Sequence, residues 1–258
     1  MKRKMWLLLL VILLAAGLMH AEEIRDLYRN WYLEHEGGSE TRIMVEKYAQ
    51  AHGLRYTDYP QSLIELLERN PETREFVLEY PTWEPEDYDL SEYADTEGVP
   101  LFLQWDQRWG YTEYGSDVLG ITGCGPTCLA MVGYYITGDD WFTPENVAAF
   151  AEENGYYTPG HGSEWTLISE GGEILGLDVT EIPRVEQRIL DNLAVGNPII
   201  LAMGKGDFTT SGHYIVIVGL EDGLLRINDP NSAENSGKLW SYARIESQIR
   251  NLWVIREG

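Results

Sequence analysis

The stretch Gly123-Cys124-Gly125-Pro126-Thr127-Cys128, followed by the apolar run Leu129-Ala130-Met131-Val132-Gly133-Tyr134-Tyr135-Ile136, decides how this chain is read. Pro126 has φ fixed near the helical value and no N–H to lose, so it suits the first turn of a helix. Two glycines let the backbone fold tightly around one side chain. Cys124 therefore stands at a helix N-terminus, where unpaired N–H groups and the positive end of the helix dipole favour a thiolate, the nucleophilic form. The same N–H groups suit the oxyanion that forms when a thiolate adds to a carbonyl. Free cysteine is most often a small buried hydrophobe. The Gly-Cys-Gly-Pro frame, which a merely buried thiol does not need, points the other way. Cys128, one turn further on, reads as the buried thiol, and a bridge across a single helical turn has poor disulfide geometry, so no bond is expected.

The helix that follows is apolar nearly all round and so reads as a buried central element. Downstream, Thr143-Pro144 opens a helix that Gly155 closes, Ser163 opens another that ends at Gly176, and Val185 to Ala194 forms a third. Strands dominate the end of the chain: Pro198 to Met203, His213 to Leu220, Leu224 to Asn228, Lys238 to Tyr242 and Leu252 to Ile255. Glu221-Asp222-Gly223 reads as a three-residue turn with glycine in the left-handed position. A buried helix on an antiparallel sheet is an α+β architecture.

Upstream, residues 22–95 read as a separate helical region, with helices over Glu23–His35, Glu40–Ala51, Ser62–Glu68 and Glu72–Glu79, and an acidic connector from Pro81 to Glu97. Residues 1–21 have the form of an export signal, with Lys2-Arg3-Lys4 before an apolar stretch from Met5 to Met19. Cleavage after Ala21 or Gly17 and retention as an N-terminal anchor are both open, and the expected address is extracellular or cell-surface. No cysteine follows the apolar run for lipid attachment. The formal charge of −23, from 42 acidic and 19 basic residues, is the wrong sign for nucleic acid.

A thiol nucleophile needs a base, and the chain has five histidines. His20 lies in the signal and His35 and His52 in the N-terminal helices, which leaves His161, in the glycine loop Pro159-Gly160-His161-Gly162, and His213, at the start of an apolar strand. A side chain rooted on a sheet is aimed better than one on a loop, which favours His213. If Leu220 pairs with Leu224, His213 lies opposite Asn231, and Asp229 is its diagonal neighbour on the same face, about 7 to 8 Å away between Cα atoms. A carboxylate there can fix the imidazole tautomer. Asn228-Asp229-Pro230 is equally a form that ends strands in a turn, and a bulge would slip the register and turn Asp229 away.

At these residues the chain resembles the papain-like cysteine peptidases of family thirty-nine, whose best-known members cut double-glycine leaders, and is most similar to their stand-alone, exported branch. The resemblance rests on Val99-Pro-Leu-Phe-Leu-Gln104-Trp-Asp-Gln-Arg-Trp109-Gly, Gly123-Cys-Gly-Pro-Thr127, Gly212-His213-Tyr-Ile-Val-Ile-Val-Gly219 and Asn228-Asp229-Pro230, in that order. It implies a peptidase domain over residues 99–258, with Cys124 as nucleophile, His213 as general base and acid, Asp229 as the residue orienting His213, and Gln104 as side-chain donor to the oxyanion. Gln104 stands twenty positions before Cys124, so Trp105 to Thr122 must loop out, with Gln107 as the fallback. The transporter-linked members carry a nucleotide-binding domain. This chain has no Walker-type loop, so leader processing is not carried over.

The expected activity is peptide-bond hydrolysis with no cofactor, metal or nucleotide, on a peptide or protein substrate. Two rivals stand beside it. One is a transpeptidase or cell-wall amidase on the same scaffold. The other is a non-catalytic binding module using Trp105, Trp109, Trp141 and Trp165, and a full set of Cys, His and Asp argues against that one.

Overall fold

The structure is a computed structural model that describes residues 39–258. The expected export signal and the helix over Glu23–His35 lie outside the described residues. Among the described residues no helix is long and apolar enough to cross a membrane. The chain divides into two compact units at Pro60 and Gln61. Within the first, α1 (Glu40–Ala51) is capped by Ser39, whose Oγ accepts from the Arg42 amide at 3.3 Å. Gly53, at φ +71°, ends it in the left-handed region that glycine adopts without strain.

The second unit, from Gln61 to Gly258, begins well before the acidic connector. Residues 61–95 fold with the strands that follow, contrary to the expected separation near residue 95. Helix α2 (Gln61–Arg69) buries Leu63, Ile64, Leu66 and Leu67, and α3 (Arg74–Glu79) buries Phe76, Val77 and Leu78. Phe76 is the bolt. Its ring stacks on Tyr111 with centroids 4.3 Å apart, and Tyr111 Oη donates to the Phe76 carbonyl at 2.7 Å. A Cβ on Gly110 or Gly120 would come within 2.8 Å or 2.5 Å of the ring, so both glycines are needed for this close approach.

After a small hairpin, β1 (Glu113–Tyr114) with β2 (Asp117–Val118), α4 (Leu119–Thr122) leads into α5 (Cys124–Thr137). Residues Gly125 to Tyr134 of α5 are all buried, as an apolar circumference requires. Helix α6 (Pro144–Glu153) is capped by Thr143 and packs on α5, with Phe142 against Gly133. Ser163 lies in β4 (Gly162–Ser163), paired with β3 (Tyr157–Thr158), instead of opening a helix. The helix follows as a π-helical turn, Leu167–Gly171, running into α7 (Gly172–Ile174).

The main sheet is antiparallel throughout, in the order β5 (Leu177–Glu181), β10 (Ile249–Glu257), β6 (Ile199–Gly204), β7 (Gly212–Glu221), β8 (Leu224–Asn228), β9 (Leu239–Trp240). One face presents Ile200, Ala202, Tyr214, Val216 and Trp253 to the α5 core. The other presents Ile199, Leu201, Ile215, Ile217 and Val254 to Ile189 and Leu193 of α8 (Glu186–Leu193) and to Ile245 of α9 (Tyr242–Ile245). Covering on both faces explains why β6 reads as a continuous apolar run instead of alternating. Strand β5 escapes sequence reading because it is a largely exposed edge strand with one buried position, Leu177. The expected strand over Lys238 to Tyr242 shortens to β9, because Tyr242 begins α9.

If α2 and α3 are part of this unit, Phe76→Ala will lower its unfolding free energy by about 3 kcal/mol or more, the cost of an aromatic removed from a filled core. Urea denaturation followed by tryptophan fluorescence measures it, and a loss below about 1 kcal/mol would mean that the segment folds apart.

Candidate active site

Cys124 is the first residue of α5 and keeps partial solvent access. The flanking glycines serve close packing, not a special turn: Gly123 has φ −89°, and a Cβ on Gly125 would lie 2.7 Å from the Ser163 side chain. Cys128 is fully buried, and neither thiol is bridged.

The β7–β8 hairpin delivers the imidazole and a carboxylate. Its turn has two residues, not three: Glu221 pairs with Leu224, and Asp222 and Gly223 both have positive φ, +51° and +78°. That pairing is one residue off the register expected from Leu220 opposite Leu224. Val218 is then an extra residue, since Ile217 pairs with Ile227 while Gly219 pairs with Arg226. The bulge cancels the offset of the turn, and from Ile217 onward the ladder runs as expected. His213 and Asp229 consequently meet, with Nε2 of His213 2.7 Å from Oδ1 of Asp229.

Asp229 is 1% exposed, and its charge is compensated by donors. Oδ1 also accepts from the Asn231 amide at 2.9 Å, and Oδ2 accepts from Asn235 Nδ2 at 2.9 Å. Its own N–H donates to Ser236 Oγ at 2.9 Å. With Nε2 held, the other ring nitrogen of His213 is left for the Cys124 thiol, and the two side chains share a hydrogen bond. Burial pushes the Cys124 thiol up. The hydrogen bond and charge of His213, then the backbone N–H groups of Tyr214 and Gly125, outweigh burial and hold the thiol below its ordinary value. Burial also pulls His213 down, but the charge and hydrogen bond of Asp229, reinforced by Cys124, raise it to about 10. Both directions favour the thiolate and imidazolium form of the pair. For Cys128, burial first and the charges of Cys124 and Asp229 next push the thiol well above its usual range.

Gln104 is buried. Its Nε2 donates to the Gly120 carbonyl at 2.9 Å, four residues ahead of Cys124, and its Oε1 has no hydrogen-bond partner. The intervening segment loops out through β1 and β2 and returns, with Gly120 N–H on the Gly110 carbonyl at 2.7 Å. Only one Nε2 hydrogen is used, so the amide keeps a second donor. Gln107 instead donates to Glu79 at 2.7 Å on the surface. His161 is exposed in the β3–β4 turn and lines the cleft without joining the Cys124–His213–Asp229 chain. The cleft is a cavity of about 260 Å³ bounded by Cys124, His213, His161, Trp165, Gly204 and Arg250.

Sequence reading missed the clamp on the Asp229 loop. Asn70 Nδ2 donates to the Asn231 carbonyl at 2.6 Å, Trp105 Nε1 donates to the same oxygen at 3.0 Å, and Glu72 accepts from Ser232 Oγ and the Glu234 amide. Asn70 carries a local signal only as the N-cap residue before Pro71, and Glu72 carries none. Partners some 160 positions away leave no local trace. Among the described residues no group of three or more His, Cys, Asp and Glu is placed to hold a metal ion.

A model of the Peptidase_C39 like family matches residues 96–257. The chain belongs to that family. Its members are peptidases by classification, and the resemblance carried by Cys124, His213 and Asn228-Asp229-Pro230 pointed to the same place. Among solved structures, the peptidase domain of Streptococcus ComA, a bifunctional ABC transporter involved in quorum sensing, is similar at 22% identity and TM-score 0.44, over 62% of this chain and 99% of that domain. The Streptococcus mutans ComA peptidase domain bound to a small-molecule inhibitor matches at 21% identity and TM-score 0.37, over 60% and 96%. A Bacillus anthracis protein described as a C39-like peptidase matches at 14% and 0.37, over 67% and 99%. No curated protein sequence matches the chain.

The pKa directions set a pH profile for alkylation. Cys124 will react with iodoacetamide at mildly acidic pH, its rate rising through a midpoint below that of an ordinary thiol, while Cys128 stays unmodified in the folded chain. Asp229→Asn removes the charge that raises His213, so the imidazolium is less stable and the midpoint moves up. Mass-spectrometric labelling rates between pH 4 and 10 measure both effects, and an unshifted midpoint in Asp229→Asn would exclude the electrostatic coupling.

Proposed function

We propose that the chain is an exported cysteine peptidase that hydrolyses peptide bonds with Cys124 as nucleophile, His213 as acid and base, and Asp229 as the residue that orients His213. The observation that carries this reading is the unbroken hydrogen-bonded line from a partly exposed thiol at a helix N-terminus, through a buried imidazole, to a buried carboxylate with three donors. Family membership supports peptidase chemistry. Export is supported by the basic and apolar character of residues 1–21 alone.

In the proposed reaction the Cys124 thiolate adds to the carbonyl carbon of the scissile bond. The oxyanion is held by the Cys124 backbone N–H and the second Nε2 hydrogen of Gln104. His213 gives its proton to the departing amine as the C–N bond breaks, leaving a thioester on Cys124. Water then attacks the thioester carbonyl while His213 takes its proton. The carboxylic acid leaves, and the proton returns the pair to thiolate and imidazolium. Asp229 holds the imidazole in the tautomer both steps need and stabilises its charged form.

Cleavage of an unstructured protein such as casein tests the assignment. Cys124→Ala should abolish it with circular dichroism unchanged, and His213→Ala should cost at least about 10³-fold. Gln104→Ala should cost about 10²- to 10³-fold in kcat, the effect of one lost oxyanion donor. Cys128→Ser, at a site away from the reacting atoms, should stay within about threefold per folded molecule. Loss of activity in His161→Ala with activity kept in His213→Ala would overturn the choice of base.

A further inference from the structure

We propose that the cleft selects peptides carrying a carboxylate two to three residues from the cut bond, and that Arg250 is the side chain that binds it; this rests on the peptidase reading above.

The first observation is where the charges lie. With 42 Asp and Glu in the chain, carboxylates line two other cavities among the described residues: Glu86, Asp87, Asp140 and Glu145 around one, and Glu72, Glu75, Glu79 and Asp106 around another. No carboxylate lines the cavity that holds Cys124, and its one permanent charge is Arg250. Arg108, Arg226, Arg244 and Arg256 each pair with an Asp or Glu. Arg250, which is exposed, has no carboxylate partner among the described residues, and its guanidinium donates only to the Ser247 carbonyl, at 3.2 Å. Most donors of that fork are left open.

The second observation is how Arg250 is aimed. Ile249 pairs with Met203 and Asn251 with Ala202, so Arg250 is the extra residue of a β-bulge in β10, a device that redirects a side chain beside a site. The redirected guanidinium lies over Gly204. A Cβ at that position would come within 2.4 to 2.6 Å of Nε, Cζ and Nη2. Met203 pairs with Ile249 on one side and with His213 on the other, which sets Arg250 two strands from the imidazole. Two strand spacings are about 10 Å, and the lean over β6 shortens this by up to one spacing. An extended peptide advances about 3.3 Å per residue, so the reachable group sits two to three residues from the scissile carbonyl. A bidentate contact from Arg to a carboxylate fits both the open fork and a wall that carries no Asp or Glu.

The test uses the full chain and two readouts. First, the rate of Cys124 alkylation by iodoacetate is divided by that by iodoacetamide at low ionic strength, which needs no turnover. The ratio should fall about threefold in Arg250→Gln and about tenfold in Arg250→Glu, and return to the wild-type value at high salt. Second, cleavage sites in a proteome-derived peptide library are mapped by mass spectrometry. Asp and Glu should exceed Asn and Gln by about tenfold at a position two or three residues from the cut, and Arg250→Gln should erase the excess. An unchanged alkylation ratio in both variants, or an acidic preference that survives Arg250→Gln, overturns the assignment. Absence of cleavage and of Cys124 labelling by either reagent would instead overturn the peptidase reading itself. Arg250 is exposed, so folding of the variants is checked by their unchanged unfolding midpoint.

Discussion

The buried bond between His213 Nε2 and Asp229 Oδ1 is the contact on which the rest of the site depends. A carboxylate with almost no water around it is costly unless donors replace the solvent. Here the imidazole, the Asn231 amide and the Asn235 side chain do so. Their joint effect is asymmetric. They replace the water that Asp229 has lost; its charge and hydrogen bond raise the pKa of His213, and the charge and hydrogen bond of His213 lower that of Cys124. The Cys124 thiol is thus favoured in its ionised form from two sides, by His213 and by the backbone N–H groups at the start of α5 and at Tyr214.

Holding that carboxylate requires distant parts of the chain. The loop after β8 is fastened by Asn70 and Glu72 from the α2–α3 segment and by Trp105 from the segment after Gln104. Asn228, at the end of β8, donates to the carbonyls of Val99 and Pro100, both at 3.0 Å. These ties make residues 61–105 a brace for the Asp229 loop. The Phe76 ring, seated against Gly110 and Gly120, links the same brace to the helical turn that leads into Cys124.

Much of this was legible locally. The Gly-Cys-Gly-Pro frame marked the start of a buried helix because proline and an all-round apolar pattern speak through nearest neighbours. The pairing of His213 with Asp229 came from a register whose tip was wrong by one residue. The ladder reached the expected alignment only because the bulge at Val218 undid the offset of the two-residue turn. Ser163 shows the opposite failure. It has the look of a helix cap, yet it pairs in β4 and its side chain packs against Gly125 and accepts or donates with Tyr114 Oη at 2.8 Å.

By itself the sequence determined the elements whose information is short-range: the helix beginning at Cys124, the apolar strands, the capped helices and the identity of the residues able to do thiol chemistry. Only the tertiary structure decided what those residues face. Which nitrogen of His213 meets Asp229, that α2 and α3 brace the Asp229 loop, and that a bulge in β10 lays Arg250 over Gly204 all depend on contacts between positions far apart in the chain. Such contacts arise from the closing of the sheet and the packing of its two faces, and no local pattern of residues encodes them.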